Sequence, residues 1–254
     1  MIKIILIGCN GYMGKVVTNI VNDDPSTTIV AGVDINTQKQ GNYPVYNTPN
    51  EVTEKADVIL DFSKPEALEG LLTFAKAKKL PLILCATGYT PEQIIEIEQT
   101  SKQIPIFRSG NMSLGINLLA ELIQRACAVL GEDFDIEIVE RHHRRKVDAP
   151  SGTAIMLADA AASVLPYKPE YVHERESKRE PRSKKEIGIS AVRGGTIVGV
   201  HDVIFAGQDE VIELRHTAAS RDVFAVGAVK AAKYIIYKAP GMYNMKDVVN
   251  PHSD

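Results

Sequence analysis

An apolar run, Ile2-Lys3-Ile4-Ile5-Leu6-Ile7, begins almost at the first residue and ends at a glycine. It reads as a buried parallel strand. The glycine opens a turn, Gly8-Cys9-Asn10-Gly11-Tyr12-Met13-Gly14, and helical spacing follows at Val16, Val17, Ile20 and Val21. A second strand, Thr28 to Val33, ends at Asp34. Strand, glycine turn, helix, strand and acid, in that order, predict a dinucleotide fold. Glycines let backbone N–H groups approach a pyrophosphate at the positive end of a helix, and the carboxylate receives the ribose diol. Candidate cofactor residues are therefore Gly8, Asn10, Gly11, Tyr12, Met13, Gly14 and Asp34. Asn10 stands where the middle glycine is usual, and asparagine tolerates left-handed backbone better than other side chains, so the turn is expected to survive. A glycine turn with no ligand is the competing reading, but its place before helix and acid favours the cofactor.

The alternation continues. Asp57 to Phe62 predicts a strand, Pro65 to Lys78 a helix, Leu82 to Cys85 a strand, Pro91 to Gln103 a helix and Ile104 to Phe107 a strand. Strands separated by helices predict an α/β, Rossmann-like, doubly wound parallel sheet. Ligands on such sheets bind beyond the carboxyl ends of the strands. That adds Phe62, Ala86, Thr87, Gly88, Ser109, Gly110, Asn111 and Met112 to the cofactor candidates. Each loop taken singly reads equally well as a polar turn; the set reads better as a ligand rim.

After Met112 the rhythm changes. Ser113 to Leu130 predicts a long helix, Phe134 to Arg141 a strand with Ile136 and Ile138 on one face, and Ser151 to Leu165 a helix. Pro166 to Glu186 carries three prolines and charges of both signs, which predicts a long exposed loop or an arm toward a neighbouring subunit. Three consecutive strands follow, over 187–192, 197–205 and 211–217, and Asp222 to Lys238 is a last amphipathic helix. These imply a second α+β domain with a mixed or antiparallel sheet over 113–221, beside a first domain over 1–112.

The densest chemistry lies in Glu140-Arg141-His142-His143-Arg144-Arg145-Lys146-Val147-Asp148-Ala149-Pro150-Ser151-Gly152-Thr153-Ala154. Paired imidazoles and a run of cations lead into a helix start. Cations and free helix N–H groups suit a small dicarboxylate. Ser151, Gly152 and Thr153 offer hydroxyls and open backbone at that start. His142 can hold or lose a proton near neutral pH, and a lysine crowded by cations, as Lys146 is, makes a better acid. A charge run alone is more often a solvated basic face, but the paired histidines and the Pro-Ser-Gly-Thr turn favour a substrate site. His173, His201, His216 and His252 read as isolated surface or satisfied residues, and no metal set is apparent. Arg221 could orient the site or simply pair with a carboxylate.

The totals exclude other classes. Net charge is -3, against a nucleic-acid binder, and hydrophobic residues at 44% suffice for a core. The start is too short and strand-like for a signal peptide, and no apolar run is expected to span a membrane. Three scattered cysteines argue for a reduced, cytoplasmic protein.

The stretch from Glu140 to Ala154 resembles the E-x-H-H-x-x-K-x-D-x-P-S-G-T-A signature of the 4-hydroxy-tetrahydrodipicolinate reductase family (dihydrodipicolinate reductase, DapB). Gly8 to Gly14, Asp61-Phe62-Ser63, Thr87-Gly88 and Ser109-Gly110-Asn111 fit the same family, so the similarity runs nearly end to end. The resemblance implies an NAD(P)H-dependent cytoplasmic enzyme of lysine and diaminopimelate synthesis, commonly a homotetramer, acting on a cyclic dicarboxylic imine. It implies His142 and Lys146 as catalytic, with Lys146 the proton donor, and His143, Gly152 and Thr153 as carboxylate ligands. It also implies that 222–254 rejoins the first domain. Two positions depart from the pattern. Ala86 replaces a threonine of the family's Gly-Thr-Thr-Gly, removing one hydroxyl. No arginine follows Asp34, where Ile35, Asn36, Thr37 and Gln38 stand, so NADH is expected to be preferred over NADPH unless Lys39 swings in. Two rival readings are a reductase of another cyclic imino acid, separable by a substrate panel, and a non-catalytic dinucleotide-sensing regulator, separable by salt-sensitive DNA binding without turnover.

Overall fold

The structure, a computed structural model, describes residues 1–250; His252 lies outside them. The chain forms two compact units, Met1–Ser113 together with the chain from Asp222 onward, and Leu114–Arg221.

The first unit runs β1 (Ile2–Ile7), α1 (Tyr12–Asp23), β2 (Thr27–Val33), β3 (Val45–Tyr46), β4 (Val58–Asp61), α2 (Leu68–Lys78), β5 (Leu82–Leu84), α3 (Pro91–Ser101) and β6 (Pro105–Arg108). The second unit contributes α4 (Leu114–Leu130), β7 (Asp135–His142), α5 (Gly152–Ala162), β8 (Glu170–Val172), β9 (Glu186–Arg193), β10 (Gly199–Ala206) and β11 (Val211–Ala218). The chain then returns to the first unit with α6 (Asp222–Ile235), β12 (Gly241–Tyr243) and α7 (Met245–Val249).

Seven parallel strands make the first sheet, in the order β12-β6-β5-β4-β1-β2-β3. Helices on both faces make it doubly wound, as the alternation predicts. Ile5, Ile7, Ile59, Leu82, Leu84 and Ile106 pack with Leu71, Leu72 and Phe74 of α2 and Ile97 of α3. On the other face α1 and α6 lie side by side, joined at the surface by Lys233 and Asp24. The central strands β1 and β4 are buried on both faces, which is why they read as unbroken apolar runs rather than alternating ones. α3 starts at a capping box: Thr90 Oγ1 accepts from Gln93 N–H, and Thr90 N–H donates to Gln93 Oε1. Short β3 and β12 escape periodicity because two or three residues carry none.

The second sheet is mixed, in the order β11-β10-β7-β9-β8, with β7 antiparallel to β10 and parallel to β9. Its inner stripe of Ile136, Ile138, Ile187, Ile189, Val203 and Phe205 packs under α4 and α5. Two expectations change here. Residues 166–186 are not a free loop: β8 pairs with β9, Arg175 bridges Glu137 and Glu186 at 2.6 Å each, and Arg182 pairs with Asp135. Salt bridges onto the chain's own sheet tie down what composition alone marks as loop. And among the described residues one helix is long and apolar enough to cross a membrane, over Leu114–Asp133, where no such run was expected. Leu119, Ala120, Ile123 and Cys127 of that helix pack into the core of the second unit, while Leu118, Leu122 and Val129 on its other side raise its apolar content.

Candidate active site

In the first unit the parallel register aligns Ile7, Asp61, Leu84 and Arg108 across four neighbouring strands. The residues that follow them, Gly8, Phe62, Cys85 and Ser109, therefore leave the sheet along one edge. Strand order reverses between β1 and β4, and a crevice opens there. Gly8 holds φ +73° and lies so near the neighbouring loop that a Cβ on it would meet Phe62 O at 2.8 Å. A Cβ on Gly14 would lie 2.2 Å from Gly8 O, so α1 starts tight against the turn. No side chain caps α1 at Gly11, which leaves its first N–H groups for a ligand.

Asn10 does not adopt left-handed backbone; Gly8 takes that conformation. Asn10 instead works through its side chain, donating from Nδ2 to the carbonyls of Asn36, at 2.5 Å, and Gln38, at 2.9 Å. Its backbone N–H donates to Asp34 Oδ2 at 2.9 Å, and Asn36 N–H to Asp34 Oδ1 at 3.0 Å. Asparagine here pins the loop after β2 against the glycine turn. A carboxylate offers about four acceptor sites, so Asp34 retains capacity for a diol.

A cleft of about 720 Å³ is lined by Gly8, Gly11, Asp34 and Phe62 among the expected residues. Ser63, beside Phe62 in the same strand-end loop, lines it too, as do Asn47, Pro49 and Lys64, which no sequence motif marks. Tyr12 is exposed and Met13 half-buried in the first turn of α1. Ala86, Thr87 and Gly88 leave β5, with Thr87 and Gly88 exposed. Ser109 and Gly110 leave β6 at least partly accessible, but Asn111 and Met112 are buried. Met112 O faces Gly227 of α6, where a Cβ would come within 1.7 Å. The absence of a side chain at Gly227 lets α6 dock against the Met112 carbonyl.

In the second unit the apolar inner stripe turns polar at one end. Glu140 and His142 continue the inward face of β7, His201 that of β10 and Arg193 that of β9. Glu140 is fully buried. Its Oε2 accepts from His142 Nδ1 at 2.6 Å and Arg193 Nη1 at 2.7 Å; its Oε1 accepts from Arg193 Nη2 at 2.7 Å and Ser151 N–H at 2.9 Å. Burial pushes this carboxyl up, but Arg193, His142 and Ser151 outweigh it and hold it below the usual carboxylate range. His201 is not isolated. It packs edge-on to His142, with ring centroids 5.2 Å apart, and its Nε2 meets Ser151 Oγ at 3.1 Å. Burial first, and then the His142 charge, push His201 down to about 4, so it is neutral at pH 7.

Ser151 is the N-cap of α5, its Oγ accepting from Ala154 N–H at 3.1 Å. Capping and His201 occupy its hydroxyl. Gly152 opens α5 with free space around it, and Thr153 is half-buried in the same turn. Lys146 Nζ pairs with Asp148 Oδ1 at 2.8 Å, so its nearest partner is a carboxylate rather than another cation. Partial burial, then Arg145, Arg221, His142 and Lys146, lower the basicity of His143. Arg221 is exposed and acts through that charge. The basic loop is anchored to the turn after β9, Gly194 N–H donating to His142 O and Arg144 N–H to Gly195 O. His142, His143, Lys146, Ser151, Gly152 and Thr153 thus lie on the loop and helix start that the sequence marks, and Glu140, Arg193 and His201 join them from beneath.

The family model described as "Dihydrodipicolinate reductase, N-terminus" matches residues 2–112, and that described as "Dihydrodipicolinate reductase, C-terminus" matches residues 115–249. The chain belongs to the dihydrodipicolinate reductase family. A protein named 4-hydroxy-tetrahydrodipicolinate reductase from Caldanaerobacter subterraneus subsp. tengcongensis is 55% identical over 98% of both chains. One of the same name from Clostridium tetani is 50% identical over 98% of both. Among solved structures, the dipicolinate-bound dihydrodipicolinate reductase from Paenisporosarcina sp. TG-14 matches with a TM-score of 0.83 and 25% identity, over 98% of this chain and 99% of that one. An amine dehydrogenase from Mycobacterium smegmatis, at 13% identity and a TM-score of 0.65, shares the fold. Enzymes of the dihydrodipicolinate reductase family draw on a pyridine nucleotide, and the glycine turn, uncapped helix start and Asp34 fit one.

Proposed function

We propose that this chain reduces 4-hydroxy-tetrahydrodipicolinate to tetrahydrodipicolinate in lysine and diaminopimelate synthesis, with NADH preferred over NADPH. The observation that carries this reading is the end-to-end match, at 55% identity, to a relative bearing that name. In the net reaction one hydride replaces the hydroxyl, which leaves with one proton as water. The bound dinucleotide supplies the hydride. The chain's own residues do the rest.

Gly8, Gly11 and Gly14 clear space for a pyrophosphate at the start of α1, with Asn10, Tyr12 and Met13 in the same turn, and Asp34 takes the ribose diol. Phe62 and the loops of Ala86, Thr87, Gly88, Ser109, Gly110 and Asn111 form the rim at the strand ends. In the second unit, His143 with the N–H groups of Gly152 and Thr153 receives a ring carboxylate. Lys146 donates the proton, aided by His142, and Asp148 releases the ammonium when the substrate carboxylates compete for it. Lys146→Ala is expected to lower kcat by roughly 100-fold or more while raising substrate KM much less, as befits loss of a proton donor. Unchanged kcat in a steady-state assay would remove Lys146 from the chemistry.

The NADH preference rests on Ile35, Asn36, Thr37 and Gln38 after Asp34, which carry no cation. A specific observation favours the opposite preference: Lys64 lines the same cleft. Steady-state kcat/KM for each dinucleotide, in the native chain and in Lys64→Ala, separates the two. An NADPH preference abolished by that substitution would assign Lys64 to the 2′-phosphate. A cytoplasmic homotetramer is the assembly the family resemblance supports, and light scattering tests it.

A further inference from the structure

We infer that Glu140 is a positioning residue that fixes the tautomer of His142, so that Nε2 is the one ring atom through which His142 exchanges a proton. The inference rests on the proposed role of His142 and deepens it by assigning the atom.

Apart from His142 Nδ1, every group that touches the Glu140 carboxylate is an obligate donor. Arg193 supplies two N–H groups from its fork, one to each oxygen, and the backbone of Ser151 supplies a third donor. Arginine and a peptide N–H cannot turn into acceptors. A protonated Glu140 could place its O–H only on His142 Nδ1, but the Arg193 fork and the Ser151 N–H hold this carboxyl below the usual carboxylate range, so it is ionised and accepts only. His142 Nδ1 lies 2.6 Å from Oε2, within hydrogen-bonding distance, so it must carry a hydrogen in the neutral as well as the charged ring. The lone pair of neutral His142 is therefore on Nε2.

The surroundings agree. His142 Nε2 points toward Gly199, where a Cβ would stand 3.2 Å away, so the absent side chain keeps that nitrogen uncrowded. His201, from β10, meets the ring edge-on and is itself neutral, so it adds no competing charge. Ser151 links the pieces: its N–H binds Glu140, while its Oγ caps α5 and meets His201. The helix start that presents Gly152 and Thr153 and the carboxylate that orients His142 are thus one hydrogen-bonded assembly. A glutamine at position 140 cannot replace the carboxylate, because its NH₂ would face Arg193, Ser151 N–H or the His142 Nδ1–H, donor against donor.

Two measurements on the full-length enzyme test this. The first uses ¹⁵N-histidine-labelled protein and two-bond proton–nitrogen correlation spectra, at a pH where His142 is neutral, with His142→Gln to assign its signals. The Nδ1–H tautomer is expected, and an Nε2–H tautomer overturns the inference whether or not the enzyme turns over. The second is Glu140→Gln, whose kcat is expected to fall by roughly 100-fold or more, with dinucleotide KM little changed and the Nδ1–H signature lost. A folded Glu140→Gln enzyme that keeps kcat within about threefold overturns it. If that variant does not fold, the spectrum of the native enzyme still decides. Failure of the underlying reading is distinguishable: His142→Gln would then retain turnover although the native spectrum shows Nδ1–H.

Discussion

Asp61 carries a cost that its neighbours do not fully offset. It ends β4 beside the cofactor cleft, almost wholly buried, and accepts from the Ser63 N–H at 2.8 Å. Burial pushes its carboxyl up to about 6, against the lowering effect of Ser63. A folded-state value above the unfolded one means that folding favours the protonated acid. The contribution is fully present below about pH 4 and is lost as pH rises through about 6. The difference corresponds to about 3 kcal/mol. Asp61→Asn keeps an acceptor for Ser63 and removes the charge. Urea unfolding at about pH 5 and about pH 8 should show the variant gaining on the native chain as pH rises, by about 1.4 kcal/mol, because roughly half of the contribution is already lost at pH 5. Equal differences at both pH values would mean that Asp61 titrates as an ordinary carboxylate. Glu140 is the opposite case: equally buried, but given enough donors to stay ionised.

The start of α5 concentrates several demands on Ser151. Its hydroxyl caps the helix and meets a buried histidine, and its N–H binds a buried carboxylate. Ser151→Ala is expected to cost about 1–2 kcal/mol in urea unfolding, from the lost cap and the orphaned His201. A loss under about 0.3 kcal/mol would show that water replaces the cap. In the same region periodicity carries partners as well as elements. β7 alternates Ile136, Ile138, Glu140 and His142 along one face, and its burial alternates in step. A carboxylate and an imidazole on the buried face of a strand must have partners. That rule, applied to the sequence, points to Glu140 as a structural anchor. His201 follows likewise from its alternation with Val203 and Phe205. Arg193 does not, since only strand register brings it opposite His142.

The first unit is built from two separated pieces of chain. α6 buries Ala225, Ala228, Val229, Ala231, Ala232 and Ile235, and β12 extends the sheet beyond β6. A fragment of residues 1–113 lacks all of these, and is expected to show no cooperative melt by circular dichroism and no NADH fluorescence enhancement. The same fragment joined through a flexible linker to residues 222–250 is expected to regain both. A cooperative melt of 1–113 alone would mean that α6 is dispensable to the fold.

Local patterning determines the elements and their chemistry. Glycines at 8, 11 and 14, apolar runs bounded by loops, and a fifteen-residue signature were enough to name the sheet, the cofactor class and the family. Those signals survive in sequence because each depends on neighbours only a few residues away. Tertiary structure decided the rest. Asn10 became a clamp on a loop two dozen residues on, because packing gave the left-handed turn to Gly8. A segment rich in charge and proline was bound to its own sheet by Arg175 and Arg182. Glu140 acquired its donors from β9 and from the start of α5. Hydrogen-bond partners far apart in sequence leave no period behind, so only the folded chain shows which donor meets which acceptor.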